Sequence, residues 1–369
     1  MKKRIFVDAH VFDGEFQGTV TYIKEIYNVL IKERPDVVFY FGANNVNNLK
    51  NIFGTPDNVK FVKYKFKSSI LRLGVELPII LLFNRIDLAH FQYVVPFFKV
   101  CKFMTTIHDV LFLDFKTEFS KFYILQRNFF YRNSARLSNY IFTVSNYSKE
   151  RIEHYFPFTK NKIMVSQNAV NLELFYLGSK QESKKYIAEK YGISKYILYV
   201  SRIEPRKKHD LLLKSYLDLK LFEQGISLVF IGKESLKNDF LNEMVEKNLN
   251  LEKYFYFESI EQKDLREFLN GAELFVYPSL AEGFGIPPLE AAVLKTPVLC
   301  SNKTAMSDFV FFKDDLFDPE NKQEFEIKLL EKLKNKPNED HLNNIFEKIV
   351  ATYRWEDSAN KINKILNNI

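Results

Sequence analysis

The chain has 369 residues, of which 46% are hydrophobic and 27% are charged, and its formal net charge is +7. This length exceeds what one hydrophobic core usually supports, and the composition excludes a disordered or fibrous chain. The basic surplus favours an anionic partner, but basic residues are scattered and no common nucleic-acid-binding module is present, so we expect no nucleic acid partner.

Short β-rich segments alternate with amphipathic segments along the chain, which is typical of parallel sheets flanked by helices. The first series comprises Arg4–Asp8, Val37–Phe41, Val59–Val62, Asp87–Phe91, Phe103–Ile107, Tyr140–Val144 and Lys162–Val165. The second comprises Tyr196–Ser201, Leu228–Gly232, Tyr254–Phe257, Leu274–Tyr277 and Pro297–Cys300. We therefore predict an α/β chain of two doubly wound domains, residues 1–170 and 171–354. The linker is predicted within Asn168–Gly178, and the tail from Asn321 to Ile369 is predicted to be helical throughout.

The cellular location is predicted from three further features. Cys101 and Cys300 lie far apart without metal-ligand spacing, which indicates a reducing compartment and no zinc site. The first four residues lead directly into a strand-like segment, with no signal-peptide apolar region. The best apolar run, Leu77–Phe83, has only seven residues and contains Pro78. We expect a cytoplasmic protein.

Two segments of the first domain, Lys63–Arg85 and Phe115–Arg136, mix basic with large apolar residues. One interpretation is helices that pack their apolar sides on the sheet. The other is a surface that rests on an anionic membrane at its cytoplasmic face and meets a lipid-linked acceptor there.

Two motifs are absent from the sequence, and each absence argues against one kind of chemistry. No Gly-x-Gly-x-x-Gly occurs, which argues against a dehydrogenase. No Asp-x-Asp occurs, so no carboxylate pair stands ready to hold a divalent ion beneath a diphosphate. The sequence predicts chemistry without a bound metal or other cofactor.

The first candidate group runs from Ser201 to Lys208, between a predicted strand and a helix that starts near His209. Such strand-to-helix connections bind phosphates in α/β sheets. Arg202 can make a planar fork to phosphate oxygens, and Lys207 can add a compact charge. A basic surface turn is the alternative.

The second candidate group runs from Pro278 to Glu290. Two prolines pre-set a helix start, and its free N–H groups can point at an anion. Glu282 precedes this turn, where a carboxylate could bind sugar hydroxyls. Glu290 is predicted in the first turn, where it accepts from a ribose or only stabilises the helix dipole. The backbone donors are predicted at Gly283, Phe284, Gly285 and Ile286.

These residues resemble the signature of the retaining glycosyltransferases with the GT-B fold, group 1 and family 4, whose hallmark is two glutamates separated by seven residues. Glu282 and Glu290 match that spacing. The same resemblance extends, in order, over five segments of nearly the whole chain. They are Thr106–Asp109, Val144–Ser148, Tyr199–Lys207, Ala272–Val298 and Trp355–Ala359.

The resemblance implies a role for each matched residue. Arg202 and Lys207 would hold the donor diphosphate, Glu282 the donor sugar and Glu290 the ribose. His108 would contact the donor sugar near the reacting centre, with Asp109 beside it. The remaining candidates are Arg206, beside Lys207 in the donor site, and Gly18, in a glycine-rich loop from Phe12 to Tyr22 that approaches phosphate and acceptor.

The sequence departs from the family at two positions. Val20 and Lys295 stand where many relatives carry glycine. The resemblance also implies that the two Rossmann-like domains face a central cleft and that a helix at 355–369 crosses back to the first domain.

The function implied is transfer of a hexose, with retention, to a hydroxyl of a bacterial surface glycan. The His108–Asp109 loop resembles that of surface-polysaccharide mannosyltransferases, so GDP-mannose is the first candidate donor and a UDP-sugar the second. Retention could use Glu282 as a covalent nucleophile or a same-face route, which the resemblance favours. An epimerase or phosphorylase of the same fold, or a catalytically silent carbohydrate- or nucleotide-binding protein, are the alternatives.

Overall fold

A computed structural model describes residues 2–14, 18–234, 243, 253–335 and 338–369. The chain divides into two compact units, residues 2–169 with 354–369 and residues 170–353. Each is an α/β unit built on a parallel sheet, which confirms the predicted fold class. None of the helices within these described ranges is both long and apolar enough to cross a bilayer.

The first unit contains seven parallel strands in the order β3-β2-β1-β4-β5-β6-β7 among its described residues. The strands are β1 Lys3–Asp8, β2 Val37–Ala43, β3 Val59–Lys63, β4 Leu88–Gln92, β5 Lys102–Thr106, β6 Tyr140–Thr143 and β7 Ile163–Val165. Because the strand order reverses between β1 and β4, the carboxyl ends of these strands form a topological switch point, where α/β sheets bind ligands.

Helices flank this sheet and bury their apolar sides on it. The longer helices are Gly18–Glu33, Val46–Phe53, Leu77–Phe83, Lys121–Leu137 and Asn146–Tyr155. Shorter helical turns are His10–Asp13, Ser69–Leu71, Arg72–Glu76, Leu111–Asp114, Lys116–Glu118 and Pro157–Thr159. Serine side chains cap two of the helices: Ser120 accepts from the N–H of Tyr123, and Ser145 accepts from the N–H of Ser148.

The helix Trp355–Asn367 completes the first unit, although it follows the second unit in the chain. The indole of Trp355 meets the ring of Tyr22 edge-on, with centroids 6.4 Å apart. The Ser358 hydroxyl donates to the carbonyl of Gln167 at 2.6 Å. The helix therefore returns to the first unit, as predicted.

The second unit contains six parallel strands in the order β10-β9-β8-β11-β12-β13 among its described residues. They are β8 Tyr196–Val200, β9 Ser227–Ile231, β10 Tyr254–Phe257, β11 Leu274–Tyr277, β12 Val298–Ser301 and β13 Leu316–Phe317. The helices are Lys180–Tyr191, His209–Asp218, Gln262–Gly271, Ile286–Val293, Lys322–Lys334 and Glu339–Thr352, with turns at Pro205–Lys207, Leu221–Gln224, Thr304–Asp308 and Val310–Asp315. The order reverses between β8 and β11, so the segments after these two strands flank a switch point.

Two predictions from the sequence were wrong in detail, and one short strand was missed. The tail is not helical throughout, because non-helical residues separate the three helices that begin at Lys322, Glu339 and Trp355. The two-residue strand Leu316–Phe317 was not predicted, because so short a segment carries no periodicity. Glu290 lies beyond the first turn of its helix, since that helix begins at Ile286.

Candidate functional site

Lys207 and Glu282, which follow β8 and β11, form a buried ion pair at the switch point of the second unit. The Nζ of Lys207 lies 2.5 Å from Oε1 of Glu282, and the two side chains are only 7% and 12% exposed. The Tyr277 hydroxyl donates to the same Oε1 at 2.6 Å. Lys207 and Tyr277 thus contact the same oxygen, Oε1, whereas Oε2 of Glu282 has no hydrogen-bond partner within the described residues.

Electrostatics hold this pair in its charged form. Burial alone would raise the pKa of Glu282, but Lys207 and Arg206 outweigh it and lower the pKa. Burial lowers the pKa of Lys207 to about 8, although Glu282 opposes that shift. Since an ammonium has three donors, Lys207 keeps N–H groups for a further acceptor beyond Glu282.

Arginines extend the positive charge along the same loop. Arg206 contacts Glu204 at 2.6 Å and donates to the carbonyl of Ala281 at 2.5 Å, so it ties the segment after β8 to the segment after β11. Arg202 lies 3.3 Å from the same buried Glu204, and its side chain is 47% exposed. The structure therefore brings Arg202, Arg206 and Lys207 together, with Arg202 the most open to solvent.

The turn before the Ile286–Val293 helix has the predicted backbone. Gly285 adopts φ +96, a conformation that glycine takes without strain, and Pro287 and Pro288 follow in the first turn. The backbone N–H groups of Gly283, Phe284, Gly285 and Ile286 precede or open the helix, where such groups favour an anion.

Glu290 lies one turn further along this helix and has no hydrogen bond or ion pair among the described residues. Burial raises its pKa to about 7. A buried carboxylate without a hydrogen-bond partner lowers the stability of the fold. Such groups are typical of functional sites, because a bound ligand can supply the missing hydrogen bonds.

In the first unit, a chain of buried polar side chains ends at His108. The Nε2 of His108 lies 2.7 Å from Oε1 of Gln92, and the amide nitrogen of Gln92 lies 3.2 Å from Nε2 of His90. His90 continues the chain to Tyr27, whose hydroxyl is 2.8 Å from Nδ1. Burial lowers the pKa of both histidines to about 3, so both are neutral at physiological pH.

This network determines the tautomer of His108. The amide nitrogen of Gln92 points to His90, so the amide oxygen faces His108 and accepts its Nε2–H. A neutral imidazole then carries no proton on Nδ1. His108 therefore offers Nδ1 as a hydrogen-bond acceptor, which suits a hydroxyl group of a ligand.

The remaining predicted residues, Asp109 and Gly18, also belong to the first unit. Asp109 accepts from the N–H of Leu111 at 3.1 Å and from the Tyr93 hydroxyl at 3.5 Å. Gly18 is the first residue of its helix, and a Cβ there would meet no described atom within 4 Å. Residues 15–17 of the predicted glycine-rich loop lie outside the described residues.

The backbone at one of the two departures from the family favours glycine. Lys295 adopts φ +54, the left-handed backbone that glycine takes at low cost. This position follows the Ile286–Val293 helix, so lysine here accepts a strain that glycine would avoid.

Sequence reasoning missed several residues that support the site. Thr304 adopts φ +52, which is unusual for a β-branched residue, and its hydroxyl accepts from the Glu282 N–H at 2.9 Å. Nothing in the local sequence signals this contact across 22 residues. The unpredicted residues that hold the candidates in place are Gln92, His90, Glu204, Tyr277 and Thr304.

No described group of three or more His, Cys, Asp or Glu side chains could hold a metal ion. The second-unit site also holds the carboxylates of Glu282 and Glu204, but each of these pairs with a cationic side chain. The ammonium and guanidinium groups and the backbone donors fit an anion.

Comparisons with known proteins follow this division into two units. Residues 16–174 match Glycosyltransferase Family 4, and residues 179–348 match Glycosyl transferases group 1. A glycosyltransferase from Rickettsia africae superposes with a TM-score of 0.74 over 99% of this chain and 97% of its own, at 18% identity. The chain has the GT-B fold.

A second GT-B structure, Anabaena Alr3699/HepE in complex with UDP-glucose, superposes with a TM-score of 0.73 over 100% of both chains, at 15% identity. In sequence, the chain is 27% identical over 235 residues to O-antigen chain mannosyltransferase B of Escherichia coli. That match covers 63% of this chain and 61% of the relative, less than two thirds of its length. The relationship to glycosyltransferases therefore runs through both units of this GT-B chain.

Proposed function

We propose that the chain is a retaining glycosyltransferase that moves a hexose from a nucleotide-sugar donor to a hydroxyl of a lipid-linked surface glycan. The observation that carries the proposal is the site between the ends of β8 and β11. There a buried ammonium, two guanidinium groups and a helix start supply an anion site, while Glu290 supplies an unsatisfied carboxylate.

The donor diphosphate is assigned to Arg202, Lys207 and the N–H groups near Gly283–Ile286. These donors are fixed before the reaction, so they stabilise the charge that develops on the leaving diphosphate without reorganisation. Arg206 holds the loop in place through Ala281. No metal is needed in this proposal, because cationic side chains neutralise the diphosphate.

Glu282 is assigned to the donor sugar as a hydrogen-bond acceptor. Its Oε1 already accepts from Lys207 and Tyr277, and a carboxylate paired in this way is a weak nucleophile. The free Oε2 suits sugar hydroxyls. This arrangement favours the same-face route over a covalent intermediate on Glu282. His108 accepts a further donor-sugar hydroxyl at Nδ1, with Asp109 beside it.

GDP-mannose is the first candidate donor, and a UDP-sugar is the second. The E. coli relative is named as an O-antigen chain mannosyltransferase, which supports mannose and a surface glycan. The Anabaena structure holds UDP-glucose, which supports the second candidate.

The proposal is tested by calorimetry with GDP, UDP and dTDP in EDTA, followed by assays of the preferred nucleotide sugar with and without glycan acceptors. We expect one nucleoside diphosphate to bind without a divalent cation and its sugar to be transferred only when an acceptor is present. Absence of binding in EDTA, or a change in the sugar without an acceptor, would overturn the proposal.

A further inference from the structure

The first unit exposes a cluster of large apolar side chains on neighbouring segments. Among the described residues, 11 of the 17 large hydrophobic side chains that are exposed lie between Phe66 and Phe129. Phe83 is 89% exposed and Phe122 is 75% exposed. Proteins that remain single in water rarely expose so much apolar surface together. We call this set the apolar face: Ile70, Leu71, Val75, Ile79, Leu82, Phe83, Phe98, Phe122, Leu125 and Phe129.

The helical segments that carry the apolar face are apolar on both sides. Leu73, Leu77 and Leu81 recur every four residues and pack into the core of the first unit. Val75 and Ile79 lie between them in sequence, Leu82 follows Leu81, and all three side chains are about half exposed. Packing on the sheet therefore explains only one side of this helical stretch, and the outer side needs another apolar environment.

The Lys121–Leu137 helix shows the same division. Tyr131 and Ala135 are buried in a core cluster with the strands. Phe122, Leu125 and Phe129 form an exposed stripe with spacings of three and four residues, which is one face of a helix.

Phe97 joins the two helical segments. Its N–H donates to the carbonyl of Leu73 at 3.4 Å, and a Cβ added to Gly74 would lie 3.4 Å from its ring. Its ring also stacks on Phe130, with centroids 6.1 Å apart. The exposed Phe98 follows directly, so the exposed side chains of both helices belong to one continuous region of the first unit.

The charges that accompany this region have one sign. In residues 63–85, 97–102 and 121–136, every exposed charged side chain is basic, and the lone acid, Glu76, is buried and accepts from the N–H groups of Lys65 and Phe66. The exposed basic residues are Lys63, Lys65, Lys67, Arg85, Lys99, Lys102, Lys121, Arg132 and Arg136.

We infer that the apolar face docks on the surface of an anionic lipid bilayer, with its aromatic and aliphatic side chains among the acyl chains and its lysines and arginines at the lipid phosphates. Apolar side chains interleaved with basic ones are what such a surface attracts. A symmetric pairing of two copies through this face would bring like charges together. The helix Leu77–Phe83 has seven residues, so it lies at the surface and does not cross.

The test is co-sedimentation with phosphatidylcholine vesicles that contain phosphatidylglycerol, compared with pure phosphatidylcholine vesicles. We expect binding to the anionic vesicles that weakens as salt rises. The double variant Phe83→Asp/Phe122→Asp should bind at least tenfold more weakly. Val310→Asp is the matched control, because Val310 is 71% exposed in the second unit and lies outside the apolar face; it should bind as the wild type does.

The inference is overturned if the wild-type chain does not bind anionic vesicles, or if the double variant binds them equally well. It is also overturned if light scattering finds that the wild type is a dimer and the double variant is a monomer. Circular dichroism and the melting temperature check that both variants fold. Nucleotide binding in solution, measured on the same samples, tests the proposed function separately, since no residue of the apolar face is assigned to the donor.

Discussion

Lys207 and Glu282 lie 75 positions apart in sequence, yet they form a buried ion pair with 2.5 Å between Nζ and Oε1. The pair joins the ends of β8 and β11, the two strands at which the order of the second sheet reverses. Two residues with separate proposed roles, in diphosphate and sugar binding, are therefore electrostatically linked before any ligand arrives.

Removing both members of this pair should cost less unfolding free energy than the two single substitutions added together. Lys207→Met or Glu282→Gln alone leaves a buried charge or acceptor without its partner and should cost about 3–5 kcal/mol of unfolding free energy. The double variant should cost clearly less than the sum, by more than about 1 kcal/mol, because its partners are in contact. Urea unfolding of the wild type and the three variants measures this double-mutant cycle. Turnover should fall sharply in all three variants.

The exposed pair of Lys322 and Asp218 provides the control. Its side chains are 37% and 49% exposed, so Lys322→Met should cost less than about 1 kcal/mol. Additive effects of the two substitutions at Lys207 and Glu282 would contradict the linkage, and wild-type turnover in Glu282→Gln would contradict its assigned role.

Glu290 should make both stability and donor binding depend on pH. Burial raises its pKa to about 7, so between the ordinary value near 4.5 and pH 7 the folded state holds a proton that the unfolded state has lost. Stability from this group is therefore present below pH 4.5 and lost as pH rises to 7. Glu290→Gln should be more stable than the wild type by about 2 kcal/mol at pH 8, with a smaller difference at pH 5.

The same substitution should weaken nucleotide binding. The ionised carboxylate offers both oxygens to the ribose hydroxyls, so wild-type affinity should gain more than that of Glu290→Gln as pH increases through 7. Lys207, whose pKa is about 8, affects both proteins alike, so the comparison between them isolates Glu290. Thermal melts and calorimetry at pH 5 and 8 measure both effects. Glu223→Gln, at an exposed carboxylate, is the control. An equal stability difference at the two pH values would refute this assignment.

Gln92 should act on turnover through His108. Gln92→Leu removes the acceptor that holds the Nε2–H of His108, so kcat should fall by roughly 10- to 100-fold with little change in nucleotide affinity. Gln92→Glu places a carboxylate there and raises the pKa of His108 from about 3, so activity should fall as pH decreases. Wild-type activity should show no such inflection from this histidine between pH 5 and 8.

Gln126→Glu is the matched control, since Gln126 is exposed on the Lys121–Leu137 helix. A merely structural role of Gln92 would lower stability in both of its variants without moving the pH profile. That result, or a large loss of nucleotide affinity, would count against the tautomer assignment.

Gly232 should be intolerant of a side chain because of its position next to the arginine loop. It adopts φ +144, and a Cβ would lie 2.1 Å from the carbonyl oxygen of Ser201, immediately before Arg202. Gly232→Ala should destabilise the chain by more than about 2 kcal/mol and weaken nucleotide binding, because the backbone itself must move.

Gly192→Ala separates backbone strain from this steric contact. Gly192 has φ +72, but a Cβ there meets no described atom within 4 Å. Its substitution should cost about 1 kcal/mol and leave nucleotide affinity unchanged. Equal losses in the two variants, measured by urea unfolding and calorimetry, would contradict the role of the Ser201 contact.

Much of the fold could be predicted from local sequence, because parallel strands buried on both faces are short apolar runs between helical periods. All 12 predicted strands are present, with ends displaced by at most two residues. The start of the Ile286 helix was predictable from Gly285 and the two prolines. Glycine and proline affect the backbone within a few residues, which is why this helix start could be predicted from the local sequence.

The site could be predicted only in part, because its decisive contacts join residues distant in sequence. The pairing of Lys207 with Glu282, and the contact of Thr304 with the Glu282 backbone, depend on how β8, β11 and β12 meet in the sheet. The Gln92–His90–His108 network arises because β4, which carries His90 and Gln92, pairs with β5, which His108 follows by two residues. No spacing rule encodes it, although alternation along β4 places His90 and Gln92 on one face.

The helix Trp355–Asn367 has a consequence for biosynthesis. A ribosome makes all of residues 170–353 before it reaches Trp355, so the first unit waits for its last helix throughout the synthesis of the second. During that interval Tyr22 lacks its indole neighbour, and the Gln167 carbonyl lacks the Ser358 hydroxyl. Nascent chains therefore expose the surface of the first unit that this helix later covers. A premature stop before Trp355 leaves that surface permanently uncovered.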